Sequence, residues 1–245
     1  MEEMKKGIFA SKRTSNKPNI ILVHGFWADG SGWSNVIPTL QEQGHFVIAV
    51  QNPLTSLTDD VALTRQILAE LEGPTLLVGH SYGGFVISEA AIDVPSVVGL
   101  VYISAFILDE GETLLGSGSK FPQLEVFQHL LVSVKGLAWI DPDFFPQNFA
   151  NDVDPEQARV LAASQVPGSA SIFETKAGKP AWKSLPSWSL YGTEDRMIHP
   201  DQHRFMAKRS KATTKEITAS HVPFLSHSNE VADIILQAAT DVTKK

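Results

Sequence analysis

Thr75-Leu76-Leu77-Val78-Gly79-His80-Ser81-Tyr82-Gly83-Gly84 is the stretch on which the reading of this chain turns. Thr75 to Val78 is an apolar run with no polar alternation, as expected of a strand buried on both faces. From Tyr82 to Ile92 a helix built on small residues follows. Between them, Gly79-His80-Ser81-Tyr82-Gly83 matches G-x-S-x-G in the strand–turn–helix setting that exposes a serine at the end of a sheet. Flanking glycines remove side chains that would collide in so tight a turn. A helix N-terminus beside Ser81 favours developing negative charge. The bland alternative is a tight turn with an incidental serine, and the place of the motif directly after a buried strand speaks against it.

Outward from this turn, strands and helices alternate, which indicates a parallel sheet covered by helices. Ile20 to Val23 reads as a buried strand ending at His24-Gly25. A helix from Gly32 to Gln43 closes on Gly44, and Phe46 to Val50 is the next strand. Thr58 is placed to cap a helix carrying Asp59 and Asp60 in its first turn, stopped by Gly73-Pro74. Val97 to Ala105 is a further strand. The alternation resumes with Trp188 to Tyr191, a helix from Pro200 to Lys208, a strand from Thr214 to Thr218 and a helix from Asn229 to Ala239. A short strand, Gly7 to Ala10, is expected in the polar lead-in. Residues 110–184 break the rhythm with amphipathic pieces at Leu124 to Val134 and Glu156 to Ala163. The expected architecture is therefore α/β, a mostly parallel sheet flanked by helices. Residues 1–109 and 185–245 form the core, and 110–184 a helical insertion.

Composition narrows the function classes. The 245 residues carry a net charge of −7, which disfavours nucleic acid, whose affinity rests on Lys and Arg contacts to phosphates. With no cysteine, disulfides, thiolate-bound zinc, iron–sulfur clusters and a cysteine nucleophile drop out. This fits a cytoplasmic protein. Met1 to Ser15 lacks the apolar stretch of a secretory signal, and no window is apolar for long enough to span a membrane.

A serine nucleophile needs a base, and the base a third group to orient it. His221, in the loop Ala219-Ser220-His221 after the last strand, is the candidate base. Asp195, in Gly192-Thr193-Glu194-Asp195-Arg196 at the carboxyl end of a strand, is the candidate orienter, with Glu194 and Asp109 as alternatives. Backbone N–H groups of Phe26 and Tyr82 are the candidate oxyanion hole. Aromatic and apolar residues Trp27, Phe106, Trp139, Phe144 and Val222 are the candidate substrate pocket, although plain core packing explains such residues equally well. His199 and His203 share helical i, i+4 spacing but lack an H-E-x-x-H pattern, so they read as surface residues rather than metal ligands. No metal and no cofactor is expected.

This constellation resembles the α/β-hydrolase superfamily across nearly the whole chain outside the insertion. His24-Gly25 with Gly32-Trp33, then Gly79-His80-Ser81, Ala105-Phe106-Ile107-Leu108-Asp109, and His221 with Ser226 five residues on, resemble the plant methylesterase and hydroxynitrile lyase branch and its bacterial relatives. The resemblance implies Ser81, Asp195 and His221 as a triad, the Phe26 and Tyr82 amides as oxyanion hole, and the insertion as a lid. Two departures bear on the chemistry. The lyases place a lysine directly after the catalytic histidine, where this chain has Val222. Serine rather than aspartate at position 81 argues against dehalogenase and epoxide hydrolase chemistry. The expected activity is hydrolysis of small to medium apolar or aromatic carboxylic esters through an acyl-enzyme. A lactonase, a cofactor-free perhydrolase or a non-turnover small-molecule sensor are the alternatives. The expected partner is a small-molecule ester, with homodimerisation left open.

Overall fold

The computed structural model describes residues 17–244; the expected strand from Gly7 to Ala10 lies outside them. Strands β1 (Asn19–Val23), β2 (Val47–Val50), β3 (Thr75–His80) and β4 (Val97–Ile103) alternate with helices α1 (Ile37–Glu42), α2 (Leu57–Ala69) and α3 (Gly83–Ala90). Later come β8 (Ser187–Gly192), α7 (Pro200–Ser210), β9 (Thr213–Ile217), a short α8 (Pro223–Ser226) and the terminal α9 (Ser228–Thr243). These strands form one six-stranded sheet in the order β2-β1-β3-β4-β8-β9, with every neighbouring pair parallel. Every residue of β1, β3 and β8 is buried, which is why β1 and β3 read as apolar runs without polar alternation. The exposed edge strand β9 instead reads Thr-Thr-Lys-Glu-Ile, and charged residues there discourage edge-to-edge pairing.

Because the strands are parallel, their carboxyl ends meet at one edge. The chain leaves β1 toward β2, then returns past β1 to form β3 and β4, so the direction of winding reverses between β1 and β3. Ligands of such sheets gather at that reversal. The loops after β1, β3, β4, β8 and β9 all open there.

Several boundaries differ from the sequence reading. Gly30–Asn35 is a 3-10 turn preceding α1 rather than part of one helix. Ser56, not Thr58, caps α2. Its hydroxyl accepts the Asp59 N–H at 3.1 Å and donates to the Asp59 carboxylate at 2.8 Å, a reciprocal arrangement that the hydroxyl of Thr58, already inside the helix, does not make.

The 110–184 segment holds short helices α4 (Leu114–Ser117), α5 (Phe145–Phe149) and α6 (Pro155–Ala163), and also an antiparallel sheet of β5 (Leu130–Val132), β6 (Leu137–Ile140) and β7 (Gly168–Ser169). Leu124 to Val134 is therefore not a helix. It is a 3-10 turn running into β5, because Ser133 to Gly136 makes a turn with Gly136 at φ 79° that folds β6 back on β5. The segment is fastened to the sheet edge by tryptophan N–H groups: Trp27 donates to the Ala138 carbonyl at 3.0 Å and Trp182 to that of Leu108 at 2.8 Å.

At the β3–α3 junction α3 crosses β1 with no room to spare. A Cβ on Gly83 would lie 2.4 Å from the Val23 carbonyl oxygen. Gly83→Ala should therefore lower unfolding stability by about 1–3 kcal/mol, the usual cost of overpacking. Urea denaturation measures this, and a variant as stable as the native chain refutes the packing argument.

Candidate active site

Ser81 stands between β3 and α3 with φ 53°, in the left-handed region that residues with a Cβ seldom occupy. Its backbone is held from several sides. The N–H donates to the Ile103 carbonyl at 3.3 Å, while its carbonyl accepts N–H groups of Gly84 and Phe106, each at 3.0 Å. Its side chain faces the loop after β1, where a Cβ on Gly25 would come within 3.1 Å of the Ser81 hydroxyl oxygen. Only glycine lets the two loops approach this closely.

The β1 loop is braced by His24. Its Nδ1–H donates to the Gly25 carbonyl at 2.8 Å, and its Nε2 accepts the Asn52 N–H at 2.9 Å. Burial lowers the pKa of this imidazole, so the ring remains neutral with one nitrogen donating and the other accepting. Trp27, in this loop, takes φ 59°, a second strained position opposite that of Ser81. The Phe26 ring packs edge-on against Tyr82 at 5.0 Å and stacks on Phe173 at 4.8 Å. Among the described residues, neither the Phe26 nor the Tyr82 amide N–H donates to a protein acceptor.

Asp195 and His221, 26 residues apart, are brought into contact. Thr193 N–H donates to Ile217 O at 2.8 Å and Glu194 N–H to Ala219 O at 3.1 Å, which ties the two loops together. Asp195 Oδ1 accepts the N–H groups of Met197 and Ile198 at 2.8 and 3.0 Å. Asp195 Oδ2 accepts His221 Nδ1–H at 2.8 Å and His203 Nε2–H at 2.9 Å. Burial alone would push this carboxyl up. Electrostatic attraction to His221 and the hydrogen bonds of both histidines outweigh it and hold the group far below the usual carboxylate range. Glu194, the alternative carboxylate, is exposed, and Asp109 forms an ion pair with Lys183. Arg196 turns away to the Gln147 carbonyl.

The serine turn and the His221 loop are joined through His80, whose Nε2–H donates to the His221 carbonyl at 2.9 Å. Burial holds the His80 pKa well below its ordinary value. No hydrogen bond joins the Ser81 hydroxyl to the His221 ring in the structure. Phe149, from the 110–184 segment, stands edge-on over His221 at 5.1 Å, and Asp152 Oδ2 accepts the Ser220 N–H at 3.0 Å.

The surface reading of His203 is corrected. It is only 2% exposed, because α7 presents Gln202, His203, Met206, Ala207 and Ser210 inward. That helical spacing was a signal the sequence carried. His199 caps the helix, its Nδ1 accepting the Asp201 N–H at 3.2 Å.

The pocket residues separate. Phe106 lines a cavity of about 380 Å³ together with Leu114, Phe121, Leu124, Phe127 and Met197. Trp27 and Val222 share a smaller crevice with Phe149 and Phe224. Trp139 and Phe144 line neither; Trp139 sits in β6, and Phe144 stacks on His129 at 3.4 Å. Ser81 and His221 are not in the walls of either space. Two residues that line the larger cavity hydrogen-bond to the site: Phe106 N–H donates to the Ser81 carbonyl and Met197 N–H to Asp195 Oδ1.

Four buried imidazoles, His24, His45, His80 and His203, have pKa values lowered chiefly by burial. Below about pH 6.5 the unfolded chain takes up protons on them that the folded chain refuses, so stability falls with pH. The slope is about 1.4 kcal/mol per pH unit for each imidazole in that condition. Asp60 and Glu89, pushed up by burial, oppose this only nearer the carboxylate range. Urea unfolding should show lower stability at pH 5.5 than at pH 7.5, and equal or greater stability at the lower pH contradicts it.

Among the described residues, no helix is long and apolar enough to cross a membrane. A profile described as the alpha/beta hydrolase family matches residues 20–234. The pyrethroid hydrolase of Sphingobium wenxiniae is 28% identical over 251 residues, covering 90% of this chain and 87% of its own. Methylesterase 7 of Arabidopsis thaliana is 25% identical over 264 residues, covering 92% and 97%. The crystal structure of a pyrethroid hydrolase from Sphingobium faniae superimposes with a TM-score of 0.78 at 22% identity, covering 93% of this chain and 99% of that one. A family profile matched from β1 into α9, on a parallel sheet with a strained serine turn at its edge, means that this chain belongs to the alpha/beta hydrolase family.

Proposed function

We propose that the chain is a serine carboxylic ester hydrolase acting on small to medium apolar or aromatic esters. The observation that carries this reading is the contact of the Asp195 carboxylate with His221, on the loop that His80 ties to the serine turn. An ionised carboxylate only accepts hydrogen bonds, so the proton of the neutral imidazole sits on Nδ1 and the lone pair of Nε2 is left to act as base. Ser81 attacks the acyl carbonyl as His221 takes its proton, and Asp195 stabilises the imidazolium that forms. The Phe26 and Tyr82 amides receive the oxyanion. His221 then returns the proton to the departing alcohol, and water repeats the sequence on the acyl-enzyme. In this reading the hydroxyl and imidazole close to hydrogen-bond distance when substrate binds, as pairs that are loose in resting sites commonly do.

Phe106 in the larger cavity, whose volume suits a small organic ligand, and Trp27 and Val222 in the crevice are the residues we assign to the substrate. The printed names of the relatives, a pyrethroid hydrolase and a methylesterase, support ester chemistry. So does the carbendazim hydrolyzing esterase of Nocardioides, 34% identical over 110 residues that cover 40% of this chain and 46% of its own.

On p-nitrophenyl acetate, butyrate and benzoate, Ser81→Ala should lose at least about a thousandfold in kcat/KM. A fluorophosphonate probe should label Ser81 alone, as read by peptide mass spectrometry. Turnover surviving intact in the variant, or strong thermal stabilisation by esters that the native chain never turns over, would overthrow the proposal.

A further inference from the structure

Building on the hydrolase reading, we infer that His203 is a positioning residue for the reaction: it shares Asp195 Oδ2 with His221, fixes the carboxylate, and restrains how strongly that carboxylate holds the His221 proton. A carboxylate offers about four acceptor positions. The N–H groups of Met197 and Ile198 occupy Oδ1 and the Nδ1–H of His221 takes one place on Oδ2. In a site as dry as this, the remaining place needs a donor, and His203 supplies it at 2.9 Å. An apolar residue would pack there more cheaply than a buried imidazole. The ring is also held flat. It stacks on Tyr191 at 4.8 Å with an interplanar angle of 9°. Tyr191 in turn donates to Glu216, which receives two hydrogen bonds from Arg204. Strand β8, strand β9 and helix α7 thus aim one N–H at the carboxylate.

The consequence follows from competition for a single oxygen. A donor on Oδ2 disperses its charge, so Asp195 pulls less on the proton of His221. Without that donor, the carboxylate pulls on His221 alone and the base is freed only at higher pH. The other titratable or charged groups facing this cluster are His80 beside His221, Asp152 at the Ser220 amide, His199 on α7, and Tyr191, Glu216 and Arg204 behind His203. None of them reaches Asp195 Oδ2.

The test compares the native chain with His203→Phe, which keeps a ring on Tyr191 but lacks the donor, and His203→Gln, which restores an N–H at similar reach. Each is labelled with a fluorophosphonate, melted thermally, and assayed for kcat and KM on p-nitrophenyl butyrate from pH 5 to 9. We expect His203→Phe to lose at least about tenfold in kcat with little change in KM, and its acidic limb to move up by about half a pH unit or more. His203→Gln should return the limb to its native position and recover most of the lost rate. If Ser81 is labelled and the limbs of the native chain and His203→Phe coincide, or if Phe and Gln behave alike, the role of His203 is disproved while the hydrolase reading stands. If Ser81 of the native chain takes no label, both fall together. Should His203→Phe not fold, nitrogen-15 spectra of the native chain decide. They should show the His203 and His221 N–H protons, which meet a carboxylate, deshielded beyond those of His24 and His80, which meet only carbonyls, and absence of the His203 signal disproves the role.

Discussion

A carboxylate sealed from water at Asp195 sets the terms for everything around it. Uncompensated, such a charge costs several kcal/mol or simply takes up a proton. Here it stays ionised because four N–H groups converge on it, two from the start of its own loop and two from imidazoles delivered by α7 and by the loop after β9. The same bonds that satisfy the charge fix which nitrogen of His221 carries the proton. Stability and chemistry are therefore not separable at this residue, and the loops after β8 and β9 cannot shift independently of one another.

Strain is concentrated at the same edge. Ser81, Trp27 and Ser104 all lie at positive φ, and conformations of this kind cost on the order of 1–3 kcal/mol each. They persist because the strands feeding them are buried and paired along their length: Val23 aligns with Gly79, Gly79 with Tyr102, and Tyr102 with Ser189. The rigid part of the molecule thus holds in place the part that could not hold itself.

The 110–184 segment contributes side chains rather than framework. Phe149 stands over His221, Phe173 stacks on Phe26, and Asp152 secures the Ser220 amide. None of these could be read from spacing, because each contact joins residues separated by dozens of positions and rests on a segment without regular alternation. The hairpin at Ser133 to Gly136 was hidden for a related reason. A short apolar run such as Leu130 to Val132 suits a helix turn or a strand equally, and only its pairing with β6 settles the matter.

Buried strands write themselves into a sequence as unbroken apolar runs, and a turn too tight for a Cβ as glycine. The sheet and the place of Ser81 at its edge are accordingly legible in the sequence alone. So are the carboxyl-end positions of Asp195 and His221, since loops after successive parallel strands must share one edge. The tertiary structure decided what those positions touch. It showed that His203, whose inward spacing on α7 with Met206 and Ser210 was visible but carried no partner, ends on the same carboxylate oxygen as His221. Periodicity tells which side of an element faces inward, whereas the identity of the group met there depends on how distant segments pack.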